Sequence, residues 1–245
     1  MNKKPMGFGI IGCGMIAEVH ANALKSIEDA ELIGASGATL AEAEAFGQKH
    51  NIHGFSDTED LLNCRDIKSV CICTYSGLHK DIALMAAEAG KHMIIEKPLS
   101  ITPESADEII RACEKNGVTA TVVSQLRYSK AVQEVKRAIE DGKLGKIVLA
   151  NLYMNYYRNQ DYYDKSNWRG TVAMDGGGAL MNQGIHGVDI LMYLMGKPLS
   201  VFGSVKTLSR KIEVEDTAVA CLNFKNGALG VISASTAAFP GFGRL

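Results

Sequence analysis

The chain has 245 residues, 47% of them hydrophobic and 22% charged, with a formal net charge of −1. That length carries a sizeable core and one or two domains. A near-neutral balance with no run of Lys or Arg gives no electrostatic basis for binding nucleic acid or a membrane surface. The six cysteines include no C-x-x-C pair, and no His/Cys/acid cluster has structural-zinc spacing, so no metal is expected. Read as small buried hydrophobes, they suit a reducing compartment, the cytoplasm. Lys3 and Lys4 precede an apolar run, but glycines interrupt it at Gly7, Gly9, Gly12 and Gly14, so no targeting segment is expected. No stretch of about 18 apolar residues is present either, so no transmembrane helix is expected.

In chain order, the first half alternates short apolar runs with amphipathic ones, the pattern of a parallel sheet with crossover helices. Strands are predicted at 7–11, 31–35, 69–73, 92–96 and 119–123, with a shorter one at 53–55. Helices are predicted near 15–25, 40–50, 58–63, 78–89 and 103–116, with Thr102 as cap, Pro103 as first helical residue and Gly90 and Gly117 as stops. The rhythm fades near Gln125. A helix at 130–141 follows, then a long strand candidate at 147–158 whose apolar positions (Val148, Ala150, Leu152, Met154) alternate with increasingly polar and aromatic ones. Such a strand has one buried face, which is usual in antiparallel or mixed sheets. Further strands are predicted at 199–208, 218–224 and 229–236. Domains are therefore expected at 1–125 and 126–245.

Three stretches carry chemistry. In FGIIGCGMIA, Gly12, Gly14 and Ala17 fall on G-x-G-x-x-A. Gly12 allows the tight turn, Gly14 lets the backbone approach a pyrophosphate, and Ala17 lets the helix lie close on the sheet. The helix N-terminus, with Met15 and Ile16, would then meet the anion. In HMIIEKPLS a buried strand ends in Glu96-Lys97-Pro98, and ligands of open α/β sheets bind at the carboxyl ends of strands. A cis bond between Lys97 and Pro98 is plausible. In DGGGALMNQGIHGVDILMYLMG, Met181, Ile185, Val188, Met192 and Met195 form a predicted core face, while Asn182, His186, Asp189 and Tyr193 share a neighbouring one. A histidine bonded locally to Asp189 is the plainer alternative to a catalytic one.

Together, GCGMIA, ICTYSGLHKDIAL, GKHMIIEKPLS, YYRNQDYYDKSNWRGT and GGGALMNQGIHGVDIL resemble the Gfo/Idh/MocA family, the glucose–fructose oxidoreductase, inositol dehydrogenase and rhizopine-catabolism proteins. The likeness covers essentially the whole chain. It implies an N-terminal Rossmann dinucleotide-binding domain, a C-terminal α/β domain with an open, mostly antiparallel sheet, an NAD or NADP cofactor, and a sugar, polyol or nucleotide-sugar substrate. By the same resemblance Lys97 is the catalytic lysine, Glu96 the residue near the nicotinamide ribose, and His186 the catalytic-site histidine. Thr74 and His79 match the segment lining the cofactor, with Tyr75 where a proline is usual. Asn182 stands where many members have Asp, which removes one carboxylate from proton transfer.

The reaction expected is hydride transfer between nicotinamide and a secondary alcohol or ketone. Lys97 would be general base for oxidation and general acid for reduction, with His186 orienting the hydroxyl. A free lysine, with a pKa of about 10.4, is a poor base at neutral pH and needs desolvation or a nearby cation. The alternatives are a glycoside-cleaving enzyme of the same architecture using bound NAD, and a non-catalytic dinucleotide-binding regulator.

The carboxylate that reads the adenosine ribose is absent from the second strand end, Ala35-Ser36-Gly37, where Gly37 takes its place. Ser36 has room for a 2′-phosphate, so the expectation leans to NADP, although no Arg stands nearby. Tyr157, Arg158, Trp168 and Arg169 sit in an aromatic and basic segment that suits a sugar with an anionic group, or alternatively an oligomer interface. The chain stops at FPGFGRL, read as a turn, so the open sheet is expected to lack closing strands: either the sequence is truncated, leaving the second domain incomplete at its C-terminus, or another chain completes the sheet, and association through it is expected.

Overall fold

The computed structural model describes residues 4–244; residues 1–3, Lys3 among them, and Leu245 lie outside it. The chain divides between Val123 and Ser124 into two compact units. In the first, six strands pair in parallel: β1 (Met6–Ile11), β2 (Ala30–Ser36), β3 (His53–Phe55), β4 (Ile67–Ile72), β5 (His92–Ile95) and β6 (Ala120–Val122). Their order is β3-β2-β1-β4-β5-β6. The order reverses between β1 and β4, and that switch point is where an open α/β sheet receives a ligand.

Both faces of this sheet are covered, which is why its strands read as continuous apolar runs. Ile10, Cys71 and Cys73 pack with α1 (Met15–Lys25) and α2 (Leu40–His50) through Ala17, Ala21, Leu24 and Phe46. Ile11, Val70 and Ile72 pack on the opposite side with α3 (Thr58–Asn63), α4 (His79–Glu88) and α5 (Pro103–Asn116) through Leu61, Ala83, Ala86 and Ile109. Side chains of a strand alternate between faces, so Cys71 and Cys73 share one. Local signals set the helix ends. The Thr39, Asp57 and Thr102 side chains each accept the amide of the third residue on, and Gly117 closes α5 at φ +66°.

The second unit holds α6 (Lys130–Glu140), β7 (Leu149–Tyr157), α7 (Gln160–Asp164), α8 (Ile185–Met195), β8 (Pro198–Lys206), β9 (Thr217–Phe224), β10 (Leu229–Ser235) and β11 (Ala237–Arg244). The sheet order is β11-β7-β10-β9-β8. β7 and β10 run parallel, and every other pairing is antiparallel. One face buries Leu152, Leu222, Phe224 and Ile232 against Leu191 and Val188 of α8. Gly187 allows this approach, since a Cβ there would stand 2.5 Å from Leu152 Cδ1.

Two expectations are corrected. FPGFGRL does not end the sheet as a turn: Ala237–Arg244 is an edge strand on β7, and Phe239, Pro240 and Gly241 fall in the irregularity between Ala237 and Phe242. Edge strands and bulges are where Pro and Gly are tolerated in a sheet. The helix carrying His186 opens with a π-helical stretch, Ala179–Gly184. Its wider turn puts Leu180 against the core, whereas Met181 and Ile185 stay outside that cluster. Among the described residues no helix is long and apolar enough to cross a membrane.

Candidate active site

In the first unit the strand β1 leads into Gly12 at φ +96°, where a Cβ would stand 2.8 Å from the Cys73 carbonyl oxygen. Only glycine fits there without strain. Gly14 is the N-cap of α1, with no side-chain cap, and a Cβ on it would meet nothing within 4 Å. Ala17 is fully buried under the sheet, while Met15 and Ile16 are exposed. The turn opens on a cavity of about 330 Å³ lined by Gly12, Gly14, Gly37, Glu42, Thr58 and Thr74, among others. The Thr74 hydroxyl is buried and has no hydrogen-bond partner among the described residues. An open helix N-terminus, a backbone without side chains and an orphaned hydroxyl fit a dinucleotide.

At the end of β5, Glu96 is buried. Its Oε1 accepts a bond from His20 Nε2 at 2.9 Å, and its Oε2 accepts the Lys97 amide at 3.1 Å. Burial, the largest influence, pushes the Glu96 pKa up. The hydrogen bond and charge of His20, with the Lys97 amide and charge, outweigh it and hold the carboxyl below its ordinary value. Lys97 is half-buried, and its bond to Pro98 is cis.

His79, expected beside the cofactor, is fully buried at the start of α4. Its Nδ1 lies 2.8 Å from the Pro98 carbonyl oxygen and its Nε2 3.2 Å from that of Thr74. Burial lowers its pKa, so the ring is neutral and donates from one nitrogen, the shorter contact to Pro98. It ties the Lys97-Pro98 turn to the segment after β4. Ser36 is also fully buried and shares a 3.4 Å hydroxyl contact with Thr58. It does not line the cavity, so the room expected there for a 2′-phosphate is not found. Burial, ahead of the Glu42 and Glu18 carboxylates, pushes the Cys13 thiol in the turn up to about 11, so it stays protonated.

In the second unit the glycine run before the π-helical stretch is held by Glu215, whose carboxylate accepts the amides of Gly178 and Leu180, each at 2.9 Å. Asn182 donates to buried Asp175 at 2.5 Å, and Asp175 also accepts the Gly170 amide at 2.8 Å. A carboxylate thus stands directly behind the amide. His186 lies half-buried in the first turn of α8. Below it, Asp189 is gripped by Arg127 through both oxygens, and Tyr193 lies with its ring centroid 5.2 Å from the same guanidinium while its hydroxyl accepts from Gln133.

The aromatic and basic segment is brought together by β7, α7 and two loops. Arg158 donates to the Gln183 side chain at 3.0 Å and lies 5.3 Å from the Tyr162 ring centroid. Arg169 lies 4.4 Å from the same ring and 5.3 Å from that of Trp168. Arg210, which the sequence did not single out, lies 5.2 Å from the ring of Tyr157. Its loop is folded by fully buried Asp216, which accepts the amides of Leu208, Ser209 and Arg210. Burial raises the Asp216 pKa, but these amides and the Thr217 hydroxyl bring it below the ordinary carboxylate value. The Nε atoms of Arg169 and Arg210 are buried and have no hydrogen-bond partner among the described residues. His20 and Arg210 had no local signal, because each acts on a residue remote in sequence, whereas Asp175 and Asp216 fold loops within eight residues of themselves.

Comparisons with known proteins agree with this architecture. A profile described as "Oxidoreductase family, NAD-binding Rossmann fold" matches residues 6–124, and one for the GFO/IDH/MocA C-terminal domain matches 132–245. The WlbA dehydrogenase of Bordetella pertussis, solved in complex with NADH and UDP-GlcNAcA, is 36% identical with a TM-score of 0.94, over 98% of this chain and 74% of that one. The uncharacterized oxidoreductase YrbE of Bacillus subtilis is 31% identical over 96% of this chain and 68% of its own length. The myo-inositol 2-dehydrogenase of Thermotoga maritima is 30% identical, over 97% of this chain and 70% of its own. The two profiles together span nearly the whole chain, which belongs to the Gfo/Idh/MocA family of oxidoreductases.

Proposed function

We propose that the chain is a nicotinamide-dependent dehydrogenase that oxidises a secondary alcohol of an anionic sugar, with a nucleotide-linked uronic acid as the substrate class. The observation that carries the reading is the pair of buried, unpartnered Nε donors on Arg169 and Arg210, beside Arg158. A buried donor without an acceptor costs about 1–3 kcal/mol, so the site gains from a ligand that brings oxygens. Guanidinium groups match carboxylates and phosphates two bonds at a time, and the Tyr and Trp faces that hold them also suit a sugar ring. The complex of the similar WlbA dehydrogenase with NADH and UDP-GlcNAcA supports the same class.

Bound dinucleotide would supply the hydride acceptor. The carbinol carbon loses a hydride and its hydroxyl loses a proton, leaving a ketone. Lys97 takes that proton. His79 and Glu96 position Lys97 by fixing the Pro98 carbonyl and the Lys97 amide. His186 orients the substrate hydroxyl, and Asn182, backed by Asp175, offers an amide rather than a carboxylate to the substrate. Tyr157, Arg158, Trp168 and Arg169 hold the substrate's rings and charges. The pyrophosphate contacts fall to Gly12, Gly14, Met15 and Ile16, with Thr74 and Gly37 further along the cavity. We also infer a homo-oligomer formed through the open sheet face of the second unit.

The test follows reduced-nicotinamide absorbance with UDP-GlcNAcA, its uncharged counterpart UDP-GlcNAc, and myo-inositol. Turnover is expected with the acidic nucleotide sugar. Arg169→Gln should raise KM by about tenfold or more with little change in kcat, and Lys97→Ala should cut kcat by about 10²–10⁴ while cofactor binding is kept. Equal use of the neutral compounds would overturn the substrate class, and a Lys97→Ala variant with most of its turnover would overturn the proton acceptor.

A further inference from the structure

The glycine at the end of β2 does not leave the ribose end of the cavity without a carboxylate. Gly37 and Glu42 line the same cavity as Gly12, Cys13 and Gly14. They are also packed on each other: a Cβ on residue 37 would stand 3.0 Å from Glu42 Cβ. Glycine at 37 therefore makes the room that Glu42 fills. The Glu42 carboxylate is held in place, because Oε2 accepts the Ala38 amide at 3.1 Å while the Glu42 amide is itself bonded to the Thr39 hydroxyl at 3.2 Å. That reciprocal arrangement is close to a capping box on α2, and it spends only one carboxylate oxygen. Among the described residues Oε1 makes no hydrogen bond. The charge of Glu42 also reaches the glycine turn, where it contributes, after burial, to the raised pKa of the Cys13 thiol.

Two further facts bear on what this end of the cavity accepts. The Ala38 amide, a donor that a phosphate would use, is already taken by Glu42. No Arg or Lys lines the cavity among the described residues, and Ser36 is turned inward to Thr58. A ribose hydroxyl can donate to a carboxylate. A ribose phosphate, with its own negative charge, is repelled by one and finds no cation there.

We propose that Glu42, from the first turn of α2, reads the adenosine-ribose 2′ position in place of the missing strand-end carboxylate, and makes the chain select NAD(H) over NADP(H). This reverses the lean to NADP drawn from Gly37, and it rests on the reading that this cavity binds a nicotinamide dinucleotide. The sequence carries the signal only in retrospect, as Glu42 five residues past Gly37; the fold is needed to bring them side by side.

The test is equilibrium titration of the chain with NADH and with NADPH, followed by nicotinamide fluorescence, at low and high salt. The native chain should bind NADH about tenfold or more tighter than NADPH, and salt should narrow that gap by screening. Glu42→Gln keeps an oxygen for the Ala38 amide but loses the charge. It should shrink the ratio by about tenfold, chiefly through tighter NADPH binding, and remove its salt dependence. Far-UV circular dichroism checks that the variant is folded, and Glu42→Ala should shift the ratio in the same direction. A native chain that prefers NADPH, or a ratio unchanged in both variants, overturns the proposal. Binding of neither cofactor instead overturns the dinucleotide reading on which it stands.

Discussion

The pair His20 and Glu96 shows how much of this site is settled between single residues. Glu96 is buried and still charged because His20 and the Lys97 amide together outweigh the cost of burial. Its folded pKa lies below the ordinary carboxylate value, so its stabilising contribution is present above that value and is lost as pH falls through the folded pKa. With His20→Leu, burial acts without its main opponent and the pKa moves up instead. The stability gap between the native chain and this variant should therefore close as pH falls through the lowered native pKa of Glu96, and open to about 1–3 kcal/mol by about pH 6–7. Urea denaturation across that range measures it, and a gap that does not change with pH would remove the charge from the explanation. Lys97 and Glu96 were legible in the sequence because a buried strand ending in Glu-Lys-Pro is a local pattern. His20 was not, since it lies 76 residues from its partner.

Among the elements, α8 and the stretch before it decide what the second unit presents. The predicted 4-3-4 row of Asn182, His186, Asp189 and Tyr193 assumes one unbroken α-helix. The π-helical stretch Ala179–Gly184 breaks that assumption for Asn182, which goes to Asp175, while His186, Asp189 and Tyr193 stay in α8, where Asp189 goes to Arg127. π-helical turns are often found at functional sites. The position of the helix on the sheet depends on Gly187, where a Cβ would stand 2.5 Å from Leu152 and 2.9 Å from Met154. Gly187→Ala gains helix propensity but overpacks this contact, and should cost about 1–3 kcal/mol, lowering Tm by a few degrees. A melting curve equal to the native one would mean that the helix can lift off the sheet without penalty. The missed strand β11 has a similar origin. Pro and Gly read as a turn on the sequence, and only pairing with β7 across a bulge makes them part of an edge strand.

At the scale of the whole molecule, the second sheet has one face against α8 and another that is open. Leu149 on β7 is paired with Leu229 on β10, and Val219 on β9 and Phe202 on β8 stand further along the same open face, each more than half exposed. An apolar patch spread over four adjacent strands is characteristic of an interaction surface. Sedimentation at micromolar concentration should show a dimer or larger species, and Phe202→Lys with Val219→Lys should shift it to monomer without loss of cofactor binding to the first unit. A native chain that sediments as a monomer would refute association through this face. By itself the sequence determined the Rossmann unit, most helix and strand positions, and the glycine turn, because glycine spacing, capping residues and hydrophobic period are set by neighbours a few positions away. Only the tertiary structure decided which carboxylate stands beside the turn, which histidine supports the lysine strand end, and which arginines are buried without acceptors. Those are long-range pairings, fixed by where the folded backbone carries each side chain and by how much water it leaves around it.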